Sequence, residues 1–546
     1  MTPAELAATI RTCLAEAADA GELRVDVPDE VRVERPRSRD HGDWATNVAL
    51  QLAKGAGVPP RRLAEILAAR LTQRPGIKSV DVAGPGFLNI VLDTAAAGEL
   101  ARVVVEAGRG YGRSETLAGH VVNLEFVSAN PTGPLHVGHT RWAALGDAIG
   151  RLLSSCGAAV TREHYVNDAG AQMDRFGASV LARARGDDVA EDGYRGDYVR
   201  DLARKVLERR LDLLALGDDE ALGVGRDVAY EVQHEENEAV LADFGVHFDV
   251  WFSERSLHDG AVERAVDRLR EQGHVYDSDG AVWLRTTDFG DDRDRVLVRT
   301  DGAPTYFAAD AAYYLSKKDR GFPEKIYMLG ADHHGYVNRL RAIAACAGDD
   351  PDLNIEVLIG QLVSVGGARL SKRAGNIVEL RDLMSWLGVD AVRYSLSRYP
   401  ADSPLALEGE ELRKQTNDNP VFYVQYAHAR TTGVGRNARD LGVRTEDGFD
   451  PGLLDDETES ALLAALGQYP RVVAQAAELR EPHRVARHME VLAGAFHKWY
   501  DSCRVTPIGD APVTDTHRTR LWLNEATRTV LANGLDLLGV SAPGRM

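Results

Sequence analysis

Two imidazoles bracket a valine and a glycine at the end of Asn130-Pro131-Thr132-Gly133-Pro134-Leu135-His136-Val137-Gly138-His139, between a strand-like and a helix-like stretch. At a helix start, free backbone N–H groups and the helix dipole draw anions. Gly138 lets a phosphate or a flat base approach the backbone. His136 and His139 can each donate a hydrogen bond to phosphoryl oxygens as charge develops there. By itself, HxGH also fits a turn with two ordinary histidines.

A second run, Arg369-Leu370-Ser371-Lys372-Arg373-Ala374-Gly375-Asn376, follows the last strand-like stretch and is preceded by Gly366 and Gly367. A cationic loop with glycines at its root suits phosphoryl transfer, where catalysis is mostly positioning and charge stabilisation. Lys372 is the candidate for a triphosphate contact. Alone, such a run is a solvated basic turn; the pairing with HVGH gives it a function.

The elements that must hold these loops alternate. VVNLEFV (121–127) reads as a buried strand, HVGHTRWAALGDAIGRLLSSCG as a helix ending at Gly157, and AVTREHYV as the next strand. KIYMLG and IEVLIGQLVSV are further strands, with the helical RLRAIAACAG between them. This alternation predicts a doubly wound parallel sheet of Rossmann type, an α/β domain over 111–404. Charged helix formers from about 170 to 299 interrupt it as an insertion. Residues 1–110 combine LAEILAARL, with helical spacing, and VDVAGPGFLNIVL, two strands meeting at Gly-Pro-Gly, in an α+β domain. Residues 405–546 are helical in pattern and predict a bundle.

At 546 residues the chain is too long for one core. Its net charge of −19 argues against broad nonspecific binding to nucleic acid. A local stripe such as Arg32, Arg35, Arg37 and Arg39 remains a possible phosphate contact, although such runs are usually solvated. Cys13, Cys156, Cys346 and Cys503 lie far apart with no CxxC pair, so no structural zinc is expected. No run of about 18 apolar residues suggests a membrane span. The N-terminus reads as an amphipathic helix, not a secretory signal, which makes the expected location cytoplasmic.

Together, HVGH and the Arg369–Arg373 run resemble the HIGH and KMSKS signatures of class I aminoacyl-tRNA synthetases. Val137 stands for Ile; Arg369, Leu370 and Arg373 replace the first Lys, the Met and the last Ser; Lys372 is retained. Glu125 to Pro131, Pro304 to Asp310, Gly330 to Tyr336 and Asn419 to Arg430 resemble the corresponding segments of arginyl-tRNA synthetases. The resemblance implies activation of L-arginine by ATP, then transfer to the terminal ribose of tRNA(Arg), releasing AMP and pyrophosphate. It implies charge stabilisation by His136, His139 and Lys372, with Mg²⁺ on the triphosphate. Gly330, Asp332 and His333 would lie near the ribose and adenine.

A guanidinium is a planar, permanently charged fork, so its pocket should offer carboxylates. By resemblance, Glu125 and Asp310 grip it, Tyr306 lies beside it, and Asn130 and His136 meet the amino or carboxylate end of arginine. Tyr306 and Asp310 are four apart and share a helix face. Arg35, Arg37 and Arg39 would touch the tRNA elbow; Tyr426, Arg430, Trp499 and Arg504 would meet the splayed anticodon loop. A monomer without DNA contacts is implied. Three rivals remain: a class I synthetase for another amino acid, an adenylyltransferase without tRNA, and a noncatalytic tRNA-binding relative.

Overall fold

A computed structural model describes residues 1–36, 41–361, 363–366 and 378–546. At the N-terminus, α1 (Pro3–Asp19), α2 (Val48–Ala56) and α3 (Pro60–Leu71) pack on an antiparallel sheet of β1 (Trp44–Thr46), β2 (Ile77–Ala83) and β3 (Phe87–Leu92), in the order β1-β3-β2. Thr2 and Glu5 close a capping box at the start of α1. Leu6, Ile10, Leu63, Leu67, Leu88 and Ile90 are fully buried between the layers. The β2–β3 turn is the expected Gly-Pro-Gly, with positive φ at Gly84 (52°) and Gly86 (147°), where a side chain would strain the backbone.

Next comes α4 (Leu100–Ala107), whose Leu100, Ala101 and Val104 bury themselves in the core of the C-terminal helices. Then β4 (Val121–Glu125), α5 (Val137–Ser155) and β5 (Ala159–Val166) form the first crossover. Three charged helices follow: α6 (Ala171–Arg185), α7 (Asp197–Arg209) and α8 (Asp218–Asp243). They enclose a small core of their own around Phe176, Val180, Val199 and Val206.

The stretch read as one insertion is divided. β6 (Val250–Ser253) returns to the main sheet and pairs parallel with β5, from Glu163↔Val250 to Val166↔Ser253. Four residues, VWFS, were too short to stand out among helix formers. Beyond it lie α9 (Ala261–Glu271) and the antiparallel meander β7 (Val275–Ser278), β8 (Ala281–Leu284) and β9 (Arg295–Val298). The second half of the nucleotide fold is α10 (Tyr306–Asp319), β10 (Glu324–Gly330), α11 (Val337–Cys346) and β11 (Ile355–Gly360).

The main sheet runs β11-β10-β4-β5-β6, with every pairing parallel. From β4 the chain moves outward through β5 to β6, and the later strands β10 and β11 fill the other side. Strand order therefore reverses between β4 and β10, which opens a crevice at their carboxyl ends, the place where such sheets bind ligands. Two side-chain-free positions let α5 and the sheet close up. A Cβ on Gly146 would lie 2.2 Å from the Phe126 ring, and one on Gly360 would lie 2.2 Å from the Trp142 ring.

β12 (Val363–Gly366) leaves the main sheet and pairs with β13 (Leu405–Glu408), with α12 (Leu380–Leu387) and α13 (Val389–Ser397) between them in the chain. The expected start of helical territory at 405 thus falls on a strand. The bundle begins later, with α14 (Pro420–Asp440), α15 (Glu457–Glu478), α16 (His483–Ser502) and α17 (Asp515–Leu537).

Two buried arginines fasten these layers. Arg393 on α13 pairs with Asp147 on α5 and donates to the carbonyls of Phe244 (2.9 Å) and Leu538 (3.2 Å). Arg141 on α5 donates to the carbonyls of Gln361, Pro400 and Ser403. No helix among the described residues is long and apolar enough to cross a membrane.

The close fit predicts that Gly146→Ala, which is helix-favouring on propensity alone, destabilises by about 1–3 kcal/mol through overpacking against Phe126. A lowered thermal midpoint, partly restored by Phe126→Leu, is the expected result. An unchanged midpoint would contradict the packing account.

Candidate active site

The HVGH turn is a helix cap made of imidazoles. His136 is the N-cap of α5, and its Nδ1 accepts from the Gly138 N–H at 3.1 Å. His139, three residues on, returns the arrangement: its Nδ1 accepts from the His136 N–H at 3.4 Å. The rings lie 4.0 Å apart. Because each Nδ1 accepts, each neutral ring carries its proton on Nε2, and that N–H is the donor left for a ligand. Protonation would put a donor against each backbone N–H and break both caps. Burial lowers the His136 pKa, and burial followed by repulsion from His136 lowers that of His139 to about 4. Both rings are therefore neutral at pH 7.

The chain that enters this turn is constrained. Val127 (φ 68°) and Ser128 (φ 40°) are left-handed without being glycine, a strained arrangement just past β4. Ser128 Oγ donates to Glu125 Oε1 (3.0 Å) and accepts from the Tyr165 N–H (3.1 Å), which holds the bend. Asn130 is exposed and donates to Gln172 of α6 at 3.2 Å. The Tyr198 hydroxyl donates to the Thr132 carbonyl at 2.9 Å.

Lys372 lies outside the described residues, as do Arg37 and Arg39. The described flank of the Lys372 run is informative nonetheless. The Val137 N–H donates to the Val378 carbonyl (2.9 Å), and the Leu380 N–H donates to the Leu135 carbonyl (2.8 Å). The chain leaving the basic run is thus stitched to the HVGH turn itself.

On the other side of the crevice, α10 starts at Thr305, whose hydroxyl caps the Ala308 N–H. Tyr306 follows at 71% exposure, free at the mouth. Asp310, one turn further, is half-buried and accepts a hydrogen bond from the Tyr336 hydroxyl. No lysine or arginine among the described residues forms an ion pair with it. Burial raises its pKa to about 7; the Tyr336 hydrogen bond and the Arg339 charge oppose this, while Glu254 and Glu125 add to it. Glu125, at the end of β4, is buried, and both of its oxygens have partners. Its Oε2 accepts from Lys317 Nζ (2.6 Å) and lies 2.9 Å from the Tyr313 hydroxyl. Glu163, on β5, accepts from Arg320 (2.5 and 2.9 Å) and Asn123 (2.9 Å).

Gly330, Asp332 and His333 stand at the carboxyl end of β10, beside β4. Asp332 and His333 are exposed, with 3.5 Å between Oδ2 and Nε2. Among the described residues no group of three or more His, Cys, Asp or Glu could hold a metal ion, and all four cysteines are free and buried.

In the bundle, Arg430 lies between the rings of Tyr426 (4.7 Å) and Tyr500 (4.6 Å) and donates to the Tyr426 hydroxyl at 2.6 Å. Arg504 is exposed, and Arg35 is half-buried. Trp499 is a correction. Its side chain is fully buried against Phe496 in the helical core, so no base can stack on it. Its apolar face obeys the helix period, and the period marked it as core.

Family models match three stretches. The arginyl tRNA synthetase N-terminal domain covers 4–92, the class I (R) tRNA synthetase catalytic domain 100–395, and the DALR anticodon-binding domain 424–546. The arginine–tRNA ligase of Paenarthrobacter aurescens is 66% identical, with all of both chains covered.

The chain belongs to the arginyl-tRNA synthetase family.

The arginine–tRNA ligase of Micrococcus luteus is 63% identical, again over both full lengths. The Thermus thermophilus arginyl-tRNA synthetase structure, 24% identical, shares the fold at a TM-score of 0.75 with all of both chains covered. Within this family frame, several site groups escaped the sequence reading: Tyr313, Lys317, Glu163, Arg320 and Tyr336. A signal for the first two was present. Tyr306, Asp310, Tyr313 and Lys317 recur every three or four residues, a polar stripe on one helix face where an apolar one is usual.

The capping geometry predicts that His136 and His139 are both Nε2–H tautomers at pH 7, with His139 titrating near 4. Ring ¹⁵N shifts across a pH series check this. A Nδ1–H tautomer, or a His139 pKa above 6.5, would contradict it.

Proposed function

We propose that this enzyme activates L-arginine with ATP, forming arginyl-adenylate and pyrophosphate, and passes the arginyl group to the terminal ribose of tRNA(Arg) with release of AMP. The observation that carries this reading is Asp310, a half-buried carboxylate that no lysine or arginine among the described residues pairs with directly, although the Arg339 charge acts on it from further off, and close enough to Glu125 for their charges to interact. Such a group invites a cation with several donors, which a guanidinium supplies. Glu125 and Asp310 then hold the guanidinium, Tyr306 covers it at the mouth, and Asn130 and His136 meet the amino and carboxylate end.

In the first step the substrate carboxylate attacks the α-phosphorus, and the bond to pyrophosphate breaks. The nucleophile is already ionised, so no protein base is needed. The Nε2–H groups of His136 and His139 donate to phosphoryl oxygens as charge builds, and neutral rings do so without giving up their caps. Gly138 leaves room for the phosphates. Lys372 contacts the triphosphate, and Gly330, Asp332 and His333 accommodate ribose and adenine. Mg²⁺ arrives on the phosphates of ATP, with oxygen ligands that the substrate supplies. In the second step the tRNA ribose hydroxyl attacks the arginyl carbonyl, and AMP leaves.

For the tRNA, Arg35, Arg37 and Arg39 face the elbow, while Tyr426, Arg430 and Arg504 meet the anticodon loop. An Arg between two tyrosines is a platform for a splayed base. The enzyme acts as a cytoplasmic monomer without DNA contacts.

The Asp310 pKa of about 7 gives this reading a pH signature. A bound guanidinium favours the ionised carboxylate and pulls the pKa down, so binding releases a proton wherever free Asp310 is protonated. Below pH 7 arginine affinity should fall, by up to about tenfold per pH unit. Calorimetry in buffers of differing ionisation enthalpy at pH 6.5 should detect the released proton. Asp310→Asn should abolish the release and raise the KM for arginine at least about tenfold in pyrophosphate exchange, with that for ATP little changed. Unchanged arginine dependence in Asp310→Asn would refute the pocket.

A further inference from the structure

The inner end of the α10 stripe holds a charge that neither the adenylation step nor tRNA binding uses. Lys317 is fully buried, with Nζ 2.6 Å from Glu125 Oε2 and 3.9 and 4.5 Å from the ring centres of Tyr327 and Tyr313. Its other acidic neighbour, Glu163, is 4.0 Å away and already held by both Nη groups of Arg320. The Lys317 charge acts on both acids, and its direct hydrogen bond goes to Glu125.

Both groups against Glu125 Oε2, Lys317 Nζ and the Tyr313 hydroxyl, come from the inner face of α10; the lysine donates, and the single hydroxyl proton is shared with Glu163 Oε1, 2.5 Å away. Oε1 has the Ser128 hydroxyl at 3.0 Å and keeps acceptor capacity. A buried ion pair of this kind is a poor device for stability, because desolvating both charges offsets their attraction. What it supplies is orientation.

We propose that Lys317 is a positioning residue for the arginine site: it holds Glu125 by Oε2, turns Oε1 toward the substrate guanidinium, and cancels one of the two negative charges that Glu125 and Asp310 would otherwise present. The inference rests on Glu125 being a guanidinium ligand, as read above. It assigns the pocket room for one cationic fork, facing Asp310, whose charge has Glu254 and Glu125 acting against it and Arg339 acting for it. It also explains how two acids can sit close together without demanding two cations.

The test is a double-mutant cycle on the full-length enzyme, read as the KM for arginine and its pH profile in pyrophosphate exchange. Lys317→Met should raise the arginine KM by roughly 10–100-fold, the range of a charge-assisted contact, with kcat changed far less. It should also move the pH at which arginine binding is half lost upward, because Asp310 would then ionise beside a Glu125 charge that no lysine offsets. Lys317→Arg, which keeps the charge, should keep the wild-type pH profile.

In a Glu125→Gln background, Lys317→Met should add little, since the lysine would act through a charge already gone. The doubly neutral variant also guards against misfolding, because removing both members of a buried pair is tolerated where removing one is not. An unchanged KM and pH profile in Lys317→Met would overturn the proposal, as would effects that simply multiply in the double variant. If wild type does not activate arginine at all, the functional reading fails. If it does, but Glu125→Gln leaves the arginine KM unchanged, the Lys317 proposal fails alone.

Discussion

Carboxylates drawn out of water must be paired, protonated or left waiting for a cation, and the crevice of this protein is organised by which of these each acid does. Glu163 takes Arg320 and Glu125 takes Lys317, so the floor beneath β4 and β5 is close to neutral. Burial would raise the Glu163 pKa, yet the Arg320 hydrogen bonds and the Lys317 charge outweigh it and leave it lowered. Among the described residues Asp310 receives a hydroxyl but no direct ion pair, and its pKa climbs to about 7. One helix, α10, carries Asp310, Tyr313 and Lys317 and ends at Arg320, so its rotation and depth against β4 fix all of these relations together. The close approach of α5 to Phe126 at Gly146 keeps β4 where that helix needs it.

The opposite wall follows another economy of groups. The same imidazole nitrogens that satisfy two orphan N–H groups at the start of α5 fix the tautomer and leave Nε2–H free. A stability feature and a donor pair for phosphoryl oxygens are thus one arrangement. The backbone bonds from Val137 to Val378 and from Leu380 to Leu135 carry the exit of the basic run to the same place. Neither wall alone implies the reaction. The reversal of strand order between β4 and β10 is what brings them to one crevice.

Much of this was readable along the chain. VVNLEFV, AVTREHYV and KIYMLG are long apolar or alternating runs, and they became β4, β5 and β10 because buried parallel strands need such runs. HVGH sat before a helix with strong apolar spacing, and α5 starts there. Where the reading fell short, the cause was local brevity or a pattern with two meanings. VWFS and LALE are four-residue strands whose partners lie far off in sequence, and nothing local distinguishes them from helix or loop. Trp499 is aromatic near Arg504, which suits RNA, but its position on the inner face of α16 made it core. Lys317 and Arg320 lie at the end of α10, and the burial of the lysine and the pairing of both depend on two glutamates contributed by other strands.

Citrulline isolates the charge question, because its urea group copies the shape of a guanidinium without the positive charge. The measurement is kcat/KM for arginine and for citrulline in pyrophosphate exchange with tRNA(Arg) present at pH 8, on wild type and Asp310→Asn. If Asp310 awaits a cation, wild type should prefer arginine by about 10³-fold or more, since citrulline leaves the carboxylate unpaired and turns an acceptor toward it. Asp310→Asn should shrink that preference by at least about tenfold. Equal use of the two amino acids by wild type, or an undiminished preference in Asp310→Asn, would contradict the account.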